Sequence, residues 1–125
     1  MRIIITAEQA PIFNLPGIEI TAFAAPSRGS VENAAWRLRM EPRTPPTVHR
    51  VTREEIFIAL AGRAVLHIDG AEHPLAAGGA AIVPANVDFA LSNPSAAPFE
   101  AIAVLPVGAQ AIFGGNPPFT PECAA

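Results

Sequence analysis

The sequence predicts an all-β protein, built as a barrel or a sandwich of short strands. Two observations support this prediction. The 125 residues are divided by 14 prolines and 9 glycines, which leave little room for helical periodicity. The segments between these residues are rich in Ile, Val, Phe and Ala, and several alternate between apolar and polar side chains.

Nine segments are predicted as strands because each is short, apolar or alternating, and bounded by turn residues. In chain order they are residues 2–6, 17–24, 33–41, 56–61, 63–68, 72–75, 80–83, 87–91 and 99–105. We expect segment 2–6 to be an edge strand. Segment 56–61 is continuously apolar, which is typical of a strand covered on both faces. The pair Asp69-Gly70 predicts a hairpin turn.

The segment 33–41 alternates most regularly of all. We expect its apolar side chains to be buried and its charged side chains to lie on a solvated or interface face. The apolar residues are Trp36, Leu38 and Met40, and the charged residues are Arg37, Arg39 and Glu41.

We expect one domain over residues 1–125, with a core at about residues 43–105 and a tail at 106–125. The tail contains several glycines and prolines, so we predict that it lies over the surface with Phe119 as its anchor. The single cysteine, Cys123, is expected near a frayed end and excludes an internal disulfide.

The composition excludes several functions. The formal net charge is −3 and the basic residues form no cluster, so we predict neither a nucleic-acid nor a membrane partner. No apolar run approaches the ~20 residues of a spanning helix, and we expect a cytoplasmic protein. All eight basic residues are arginines, so lysine Schiff-base chemistry is excluded.

The stretch 45–70 contains the residues best suited to acid/base catalysis or metal binding. His49 is followed by the carboxylates Glu54 and Glu55 and then by the apolar segment 56–61. Strand alternation points Glu54 outward if Glu55 points inward.

The spacing in this stretch resembles the first motif of the cupin family, G-x5-H-x-H-x3/4-E-x6-G. The five named positions are occupied here by Arg43, His49, Val51, Glu55 and Gly62. Three of the five therefore match the family's pattern.

A second stretch resembles the second cupin motif, G-x5-P-x-G-x2-H-x3-N. Its named positions are occupied by Gly78, Pro84, Asn86, Phe89 and Asn93, and again three of five match. The resemblance implies a single double-stranded β-helix, or jelly-roll, barrel. The tail sequence GNPPFTPECAA is also similar to the tails of small bacterial cupins.

The resemblance implies a metal site of three histidines and one glutamate, which this chain does not complete. Only His49 and Glu55 remain, because Val51 and Phe89 cannot ligate an ion. We therefore predict no cofactor. The alternative is a divalent metal held by His49, Glu55 and an unrecognised third ligand.

We predict a small-molecule-binding barrel in which His49 and Glu55 form a metal-independent acid/base pair for isomerisation or cyclisation. The predicted ligand pocket is apolar and consists of Val51, Phe57, Phe89, Leu91 and Met40. Two alternatives stay open, a metal-dependent oxygenase or isomerase and a non-catalytic sensor or carrier. The same two residues could also be a hydrogen-bonded remnant of a lost site.

The other polar residues are predicted to lie outside the pocket. We expect His67 on the surface by strand parity, His73 in solvent after the Asp69-Gly70 turn, and Asp88 at the barrel rim. Apolar segments at both ends of the chain, 2–5 and 99–105, predict a covered edge and hence a homodimer.

Overall fold

The all-β prediction is confirmed by the computed structural model, which describes residues 3–125. Within these residues the chain forms eleven strands and two short 3₁₀ turns, Pro26–Arg28 and Glu122–Ala124. The strands are β1 (Ile12–Leu15), β2 (Ile18–Ala24), β3 (Asn33–Met40), β4 (Arg50–Val51), β5 (Glu55–Ala61), β6 (Arg63–Ile68), β7 (Ala71–Ala76), β8 (Ala80–Val83), β9 (Phe89–Ser92), β10 (Phe99–Pro106) and β11 (Ala111–Ile112). No helical segment in this part of the chain is long and apolar enough to cross a membrane.

The strands form three antiparallel sheets. The largest has the order β1-β2-β3-β10-β5-β8, a second has the order β7-β6-β9, and β11 pairs with β4. The hydrophobic core contains side chains from the two larger sheets, among them Trp36 and Phe99 from one and Leu66 and Phe89 from the other. The core therefore lies between these sheets, as a jelly-roll barrel requires.

Strand alternation decides which side chains enter the core. On β3 the apolar residues Trp36, Leu38 and Met40 are buried, as predicted, while Arg37 is exposed. The adjacent strand β10 buries every second residue from Phe99 to Leu105. The two strands pair in register, so their buried residues form one continuous inner surface.

The predicted hairpin turn is confirmed between β6 and β7. Asp69 and Gly70 have φ angles of 53° and 69°, which is the pattern of a type I′ turn. Gly62, between β5 and β6, also has a positive φ angle of 73°. A Cβ atom there would collide with the Pro98 carbonyl oxygen, so only glycine suits this position.

The predicted edge strand at residues 2–6 is wrong. Arg2 lies outside the described residues, and residues 3–6 form no strand. Ile3 and Ile4 are 81% and 71% exposed, so their strand-forming side chains have nothing to pack against. One edge strand of the large sheet is β1. The sequence did not predict it because Pro11 and Pro16-Gly17 leave only four residues between them.

The prediction that segment 56–61 is covered on both faces is also wrong. Glu55, Phe57 and Ala59 face the core, whereas Ile58 and Leu60 are 43% and 51% exposed. The apolar run therefore has one face inside the barrel and one face outside it. A smaller shift concerns segment 87–91, whose strand runs from Phe89 to Ser92.

The predicted frayed end at Cys123 is wrong as well. Cys123 and Ala124 belong to the buried core, and the Arg28 guanidinium donates a hydrogen bond to the Cys123 carbonyl oxygen at 3.5 Å. The predicted anchor, Phe119, is 47% exposed. The tail is therefore fixed by its small last residues more than by its aromatic ring.

Candidate functional site

Glu55 is the first residue of β5 and points into the barrel. Its side chain alternates with the buried Phe57, and it is 4% exposed. Within residues 3–125 no hydrogen bond or ion pair to its carboxyl group is present. Burial therefore raises the pKa of Glu55 to about 8, and the group is mostly protonated at pH 7.

His49 lies just before β4 and is held by the neighbouring β9. Its backbone N–H donates to the Phe89 carbonyl oxygen at 3.0 Å, and the Phe89 N–H donates to the His49 carbonyl oxygen at 2.8 Å. The ring atom Nδ1 lies 3.1 Å from the Thr47 carbonyl oxygen. A carbonyl oxygen only accepts, so Nδ1 carries the proton and Nε2 of the neutral ring is left as the basic atom.

Two phenyl rings contact the His49 imidazole. The ring of Phe89 lies 4.5 Å away in a tilted arrangement, and that of Phe113 stacks at 4.7 Å with an angle of 13°. Burial lowers the pKa of His49, although the Thr47 hydrogen bond and the Asp88 carboxylate oppose this shift. The imidazole is therefore neutral at pH 7.

The predicted pocket residues line the inside of the barrel. Val51, Phe57, Phe89 and Met40 are each at most 4% exposed, and Leu91 packs against the core they form. The Phe89 ring, which stands where the cupin motif has a histidine, lies 6.0 Å from Phe57. An apolar wall thus replaces a polar one.

No hydrogen bond or ion pair joins His49 to Glu55 in the described part of the chain. The ring contacts run from His49 to Phe89 and from Phe89 to Phe57, the next inward residue after Glu55. Burial is the main cause of the pKa shift in each group, and neither shift is caused by the other group.

Two residues of the tail join this region, and sequence reasoning missed both. Phe113 stacks on His49 and also lies 5.9 Å from Phe119. Cys123 lies near Glu55, and burial together with the Glu55 charge raises the pKa of its thiol to about 12. The tail has no periodicity that could have placed these residues, and its two phenylalanines, Phe113 and Phe119, were the only signal for the aromatic contact.

The donor set does not suit a metal ion. Across residues 3–125 no group of three or more His, Cys, Asp or Glu side chains could hold one. Val51 and Phe89 occupy the other two ligand positions of the motif, and neither has a donor atom. The residues therefore do not fit the metal that the fold family implies.

The remaining predicted residues lie outside the barrel interior. His67 lies on the outer face of β6 together with Arg63. Its Nε2 atom forms a hydrogen bond with the Ser92 hydroxyl at 2.7 Å. Its Nδ1 atom lies 3.6 Å from the Glu72 carboxylate. His73, Glu54 and Asp88 are exposed, as predicted. Asp88 lies 3.5 Å from Arg50.

Asn93 has a structural role. It is fully buried, and its amide nitrogen donates to the carbonyl oxygens of Met40, Glu41 and Ala97 at 3.3, 3.2 and 2.8 Å. Its amide oxygen accepts from Ser95. The matching asparagine of the motif thus ties the loop before β10 to the end of β3.

An open groove of about 570 Å³ lies beside Phe89, and neither His49 nor Glu55 lines it. It is lined by Val48, Asp88 and Phe89 and by the turn between β6 and β7. A second open groove, of about 590 Å³, lies near Gly62 and Ala97. Only the first is lined by a residue that contacts the His49 ring.

Comparisons with known proteins agree with this fold. The family model described as Cupin domain matches residues 36–105. A search of curated proteins finds no match to the chain. Many solved structures are similar, and three are described below.

The polyketide cyclase RemF from Streptomyces resistomycificus has 14% identity and a TM-score of 0.77, with 98% of this chain and 89% of that chain covered. A sugar phosphate isomerase of the cupin superfamily from Silicibacter pomeroyi has 21% identity and a TM-score of 0.65, covering 81% and 68%. A Streptomyces PAC13 variant with uridine has 20% identity and a TM-score of 0.68, covering 83% and 80%. At these identities the likeness shows the fold alone.

Proposed function

We propose that this chain, which belongs to the cupin family, is a metal-independent enzyme that moves protons on a small, largely apolar carbonyl compound. Glu55 would act as the general acid and His49 as the general base. One observation carries the proposal, namely that burial shifts the two pKa values in opposite directions. At pH 7 the acid thus holds its proton and the base has none, which is the arrangement that acid/base catalysis requires.

The proposed step transfers two protons. Nε2 of His49 takes a proton from the carbon next to the carbonyl group, while Glu55 gives its proton to the carbonyl oxygen. The products are a bound enol, an imidazolium and a carboxylate. Return of a proton to a different carbon gives isomerisation, whereas attack of the enol on a second carbonyl group gives cyclisation.

The apolar wall supports this chemistry. Val51, Phe57 and Phe89 are each at most 4% exposed, so they would keep water away from a ligand held among them, and this would strengthen hydrogen bonds to the enol oxygen. Their apolar side chains favour a hydrophobic ligand over a sugar or a charged metabolite. The folds of a cyclase and an isomerase among the similar structures are compatible with either outcome.

Hydrogen exchange on a simple probe tests the proposal without knowledge of the substrate. The probe is 4-phenylbutan-2-one in deuterated buffer at pH 7, observed by proton NMR. We expect the wild-type protein to accelerate loss of the signals next to the carbonyl group. His49→Gln and Glu55→Gln should each reduce that acceleration at least 10-fold, within the range of ~10²–10⁴ typical of such catalysis.

The controls are an exposed histidine and an exposed glutamate of the same chain, in the variants His73→Gln and Glu54→Gln. Both should exchange the probe like the wild type. Catalysis should also decline above pH 8, as Glu55 loses its proton. If the wild-type protein exchanges the probe no faster than the His49→Gln variant does, the proposal of an enzyme is wrong. The alternative of a non-catalytic binding protein would then be favoured.

A further inference from the structure

A serine, a histidine and a glutamate meet on the outer face of the three-stranded sheet, where the reaction proposed above uses no residue. The Nε2 atom of His67 forms a hydrogen bond with the Ser92 hydroxyl at 2.7 Å, and its Nδ1 atom lies 3.6 Å from the Glu72 carboxylate. One ring nitrogen thus faces a hydroxyl and the other faces a carboxylate. This is the order of groups in a Ser-His-acid catalytic triad.

Strand register explains why these three side chains meet. β6 is the central strand of the sheet, with β7 on one side and β9 on the other. Glu72 of β7 is directly opposite His67. On β9, Ala90 is opposite His67, and Ser92 is two residues further along on the same face. A long or aromatic side chain can reach such a diagonal neighbour, so the sheet holds the histidine between the other two groups.

The two contacts determine where the imidazole carries its proton. A carboxylate only accepts hydrogen bonds, so the Nδ1 atom that faces Glu72 carries the proton of the neutral ring. The Nε2 atom then accepts the hydrogen bond of the Ser92 hydroxyl. Across residues 3–125, His67 is the only hydrogen-bond partner of that hydroxyl. The serine proton is thus directed at a base, as a serine nucleophile requires.

The open groove of about 570 Å³ borders this group of residues. His67 and Glu72 line the groove, whereas His49 and Glu55 do not. The His67 side chain is 29% exposed and Ser92 is 6% exposed, so only a small acyl group can reach the hydroxyl past the imidazole. The groove gives the remainder of a substrate a place to lie.

The lining of the groove indicates the class of substrate. Val48 and Val87 contribute apolar side chains, and Asp69 and Asp88 contribute carboxylates. No arginine is among the lining residues in the described part of the chain. The acidic groups disfavour an anionic substrate but not a neutral one. An ester of a short carboxylic acid with an uncharged alcohol therefore suits this groove.

We propose that Ser92, His67 and Glu72 form a second site, which hydrolyses small neutral esters. The Ser92 oxygen bonds to the acyl carbon while His67 takes the hydroxyl proton. The bond from that carbon to the alcohol oxygen breaks, and the alcohol leaves with the proton from His67. Water then attacks the acyl carbon, its proton passes through His67 to the Ser92 oxygen, and the carboxylic acid is released. Glu72 stabilises the imidazolium only weakly, because its side chain is 74% exposed.

Hydrolysis of 4-nitrophenyl acetate by the full chain tests the proposal, with nitrophenol release followed by absorbance. We expect the wild-type protein to carry an acetyl group on Ser92 after an acid quench, located by mass spectrometry of its peptides. Ser92→Ala and His67→Gln should each lower the rate about 100-fold or more, and neither should be acetylated. Glu72→Gln should lower the rate about 3-fold, because the carboxylate is exposed.

The matched controls are Ser27→Ala and His73→Gln, since both residues are exposed and neither lines the groove. Both variants should hydrolyse the ester like the wild type. Ser92→Cys gives a separate measurement, because iodoacetamide should alkylate the introduced thiol about 10-fold faster with His67 than with His67→Gln. Cys123 should stay unmodified, because it is buried and its pKa is raised to about 12.

Three outcomes would overturn this site. One is a wild type that hydrolyses the ester no faster than Ser92→Ala, or than His67→Gln if circular dichroism shows Ser92→Ala to be unfolded. Another is an acetyl group on a residue other than Ser92. The third is equal alkylation of Ser92→Cys with and without His67→Gln, which would make the hydrogen bond purely structural. None of these variants alters His49 or Glu55, so exchange of the ketone probe should stay at the wild-type rate in all of them.

Discussion

The two faces of strand β5 reverse the usual distribution of side chains. The inner face carries a carboxyl group, Glu55, that is 4% exposed and has no hydrogen-bond partner within residues 3–125. The outer face carries Ile58 and Leu60, which are 43% and 51% exposed. A polar group inside and apolar groups outside both lower the stability of an isolated protomer.

The difference between the faces indicates that each serves a separate purpose. The inner face holds an ionisable group in an environment that keeps it neutral, which is useful for proton transfer. The outer face offers apolar surface that a partner can bury. Substitutions of the ionisable group on the inner face should therefore change the pH dependence of stability.

The largest effect is expected from Glu55→Gln, measured by urea unfolding between pH 4 and pH 9. Because burial raises the folded pKa of Glu55 from 4.5 to about 8, its contribution is most favourable below pH 4.5 and is lost as the pH rises to 8. At 1.36 kcal/mol per pH unit, the loss is at most about 5 kcal/mol. Glu55→Gln should not show this loss.

The control for this prediction is Glu54→Gln, which alters the exposed neighbour. It should follow the wild type over the whole pH range. Equal pH dependence of the wild type and Glu55→Gln would mean that Glu55 titrates normally in the folded protein.

A smaller change in the free energy of unfolding should distinguish a buried polar group that has hydrogen-bond partners from one that has none. Asn93 is fully buried and its amide makes hydrogen bonds through both its nitrogen and its oxygen. Asn93→Leu should cost about 3 kcal/mol, because it leaves carbonyl oxygens unpaired. Glu55→Leu should instead be neutral or stabilising at pH 9, where the wild type buries a charge. A destabilisation of similar size in both variants would contradict the comparison.

Restoring the family's ligand positions should give the inner face a metal site. The double variant Val51→His, Phe89→His adds two imidazoles to His49 and Glu55. We expect Co²⁺ to raise its unfolding free energy by about 2.7 kcal/mol at 100 times the dissociation constant, and to leave the wild type unchanged. Equal stabilisation of the wild type would show that the present residues already suffice for a site.

The smallest effect is expected from Phe113→Ala, which removes the ring stacked on His49. Loss of an aromatic pair should cost about 1 kcal/mol. Exposure of the imidazole should raise the pKa of His49 towards 6.5, measured by NMR titration of its ring protons. An unchanged His49 pKa would mean that other groups bury the ring, and Phe119→Ala is the matched control in the same tail.

Sequence pattern predicted most of the barrel because strand alternation and turn residues act locally. The register of residues 33–41 and the Asp69-Gly70 turn both follow from such local rules. Residues 3–6 show the limit, since β-branched side chains form a strand only when a neighbouring strand accepts them.

The candidate site was predicted only in part for a related reason. Motif spacing identified His49, Glu55 and Phe89, because cupin motifs mark residues on neighbouring strands. Phe113 and Cys123 belong to a tail without periodicity, and their positions depend on contacts made only after the barrel has formed. The exposed face of β5 was missed because an apolar run does not show which side is covered.

Carbon-13 NMR of glutamate-labelled protein tests the central claim most directly, with the Glu55 side-chain carboxyl signal assigned by its absence in Glu55→Gln. Our interpretation predicts that this signal shows a single titration with a pKa of about 8. A Glu55 signal that titrates below pH 5 would show an ionised carboxylate at neutral pH and would remove the proposed acid.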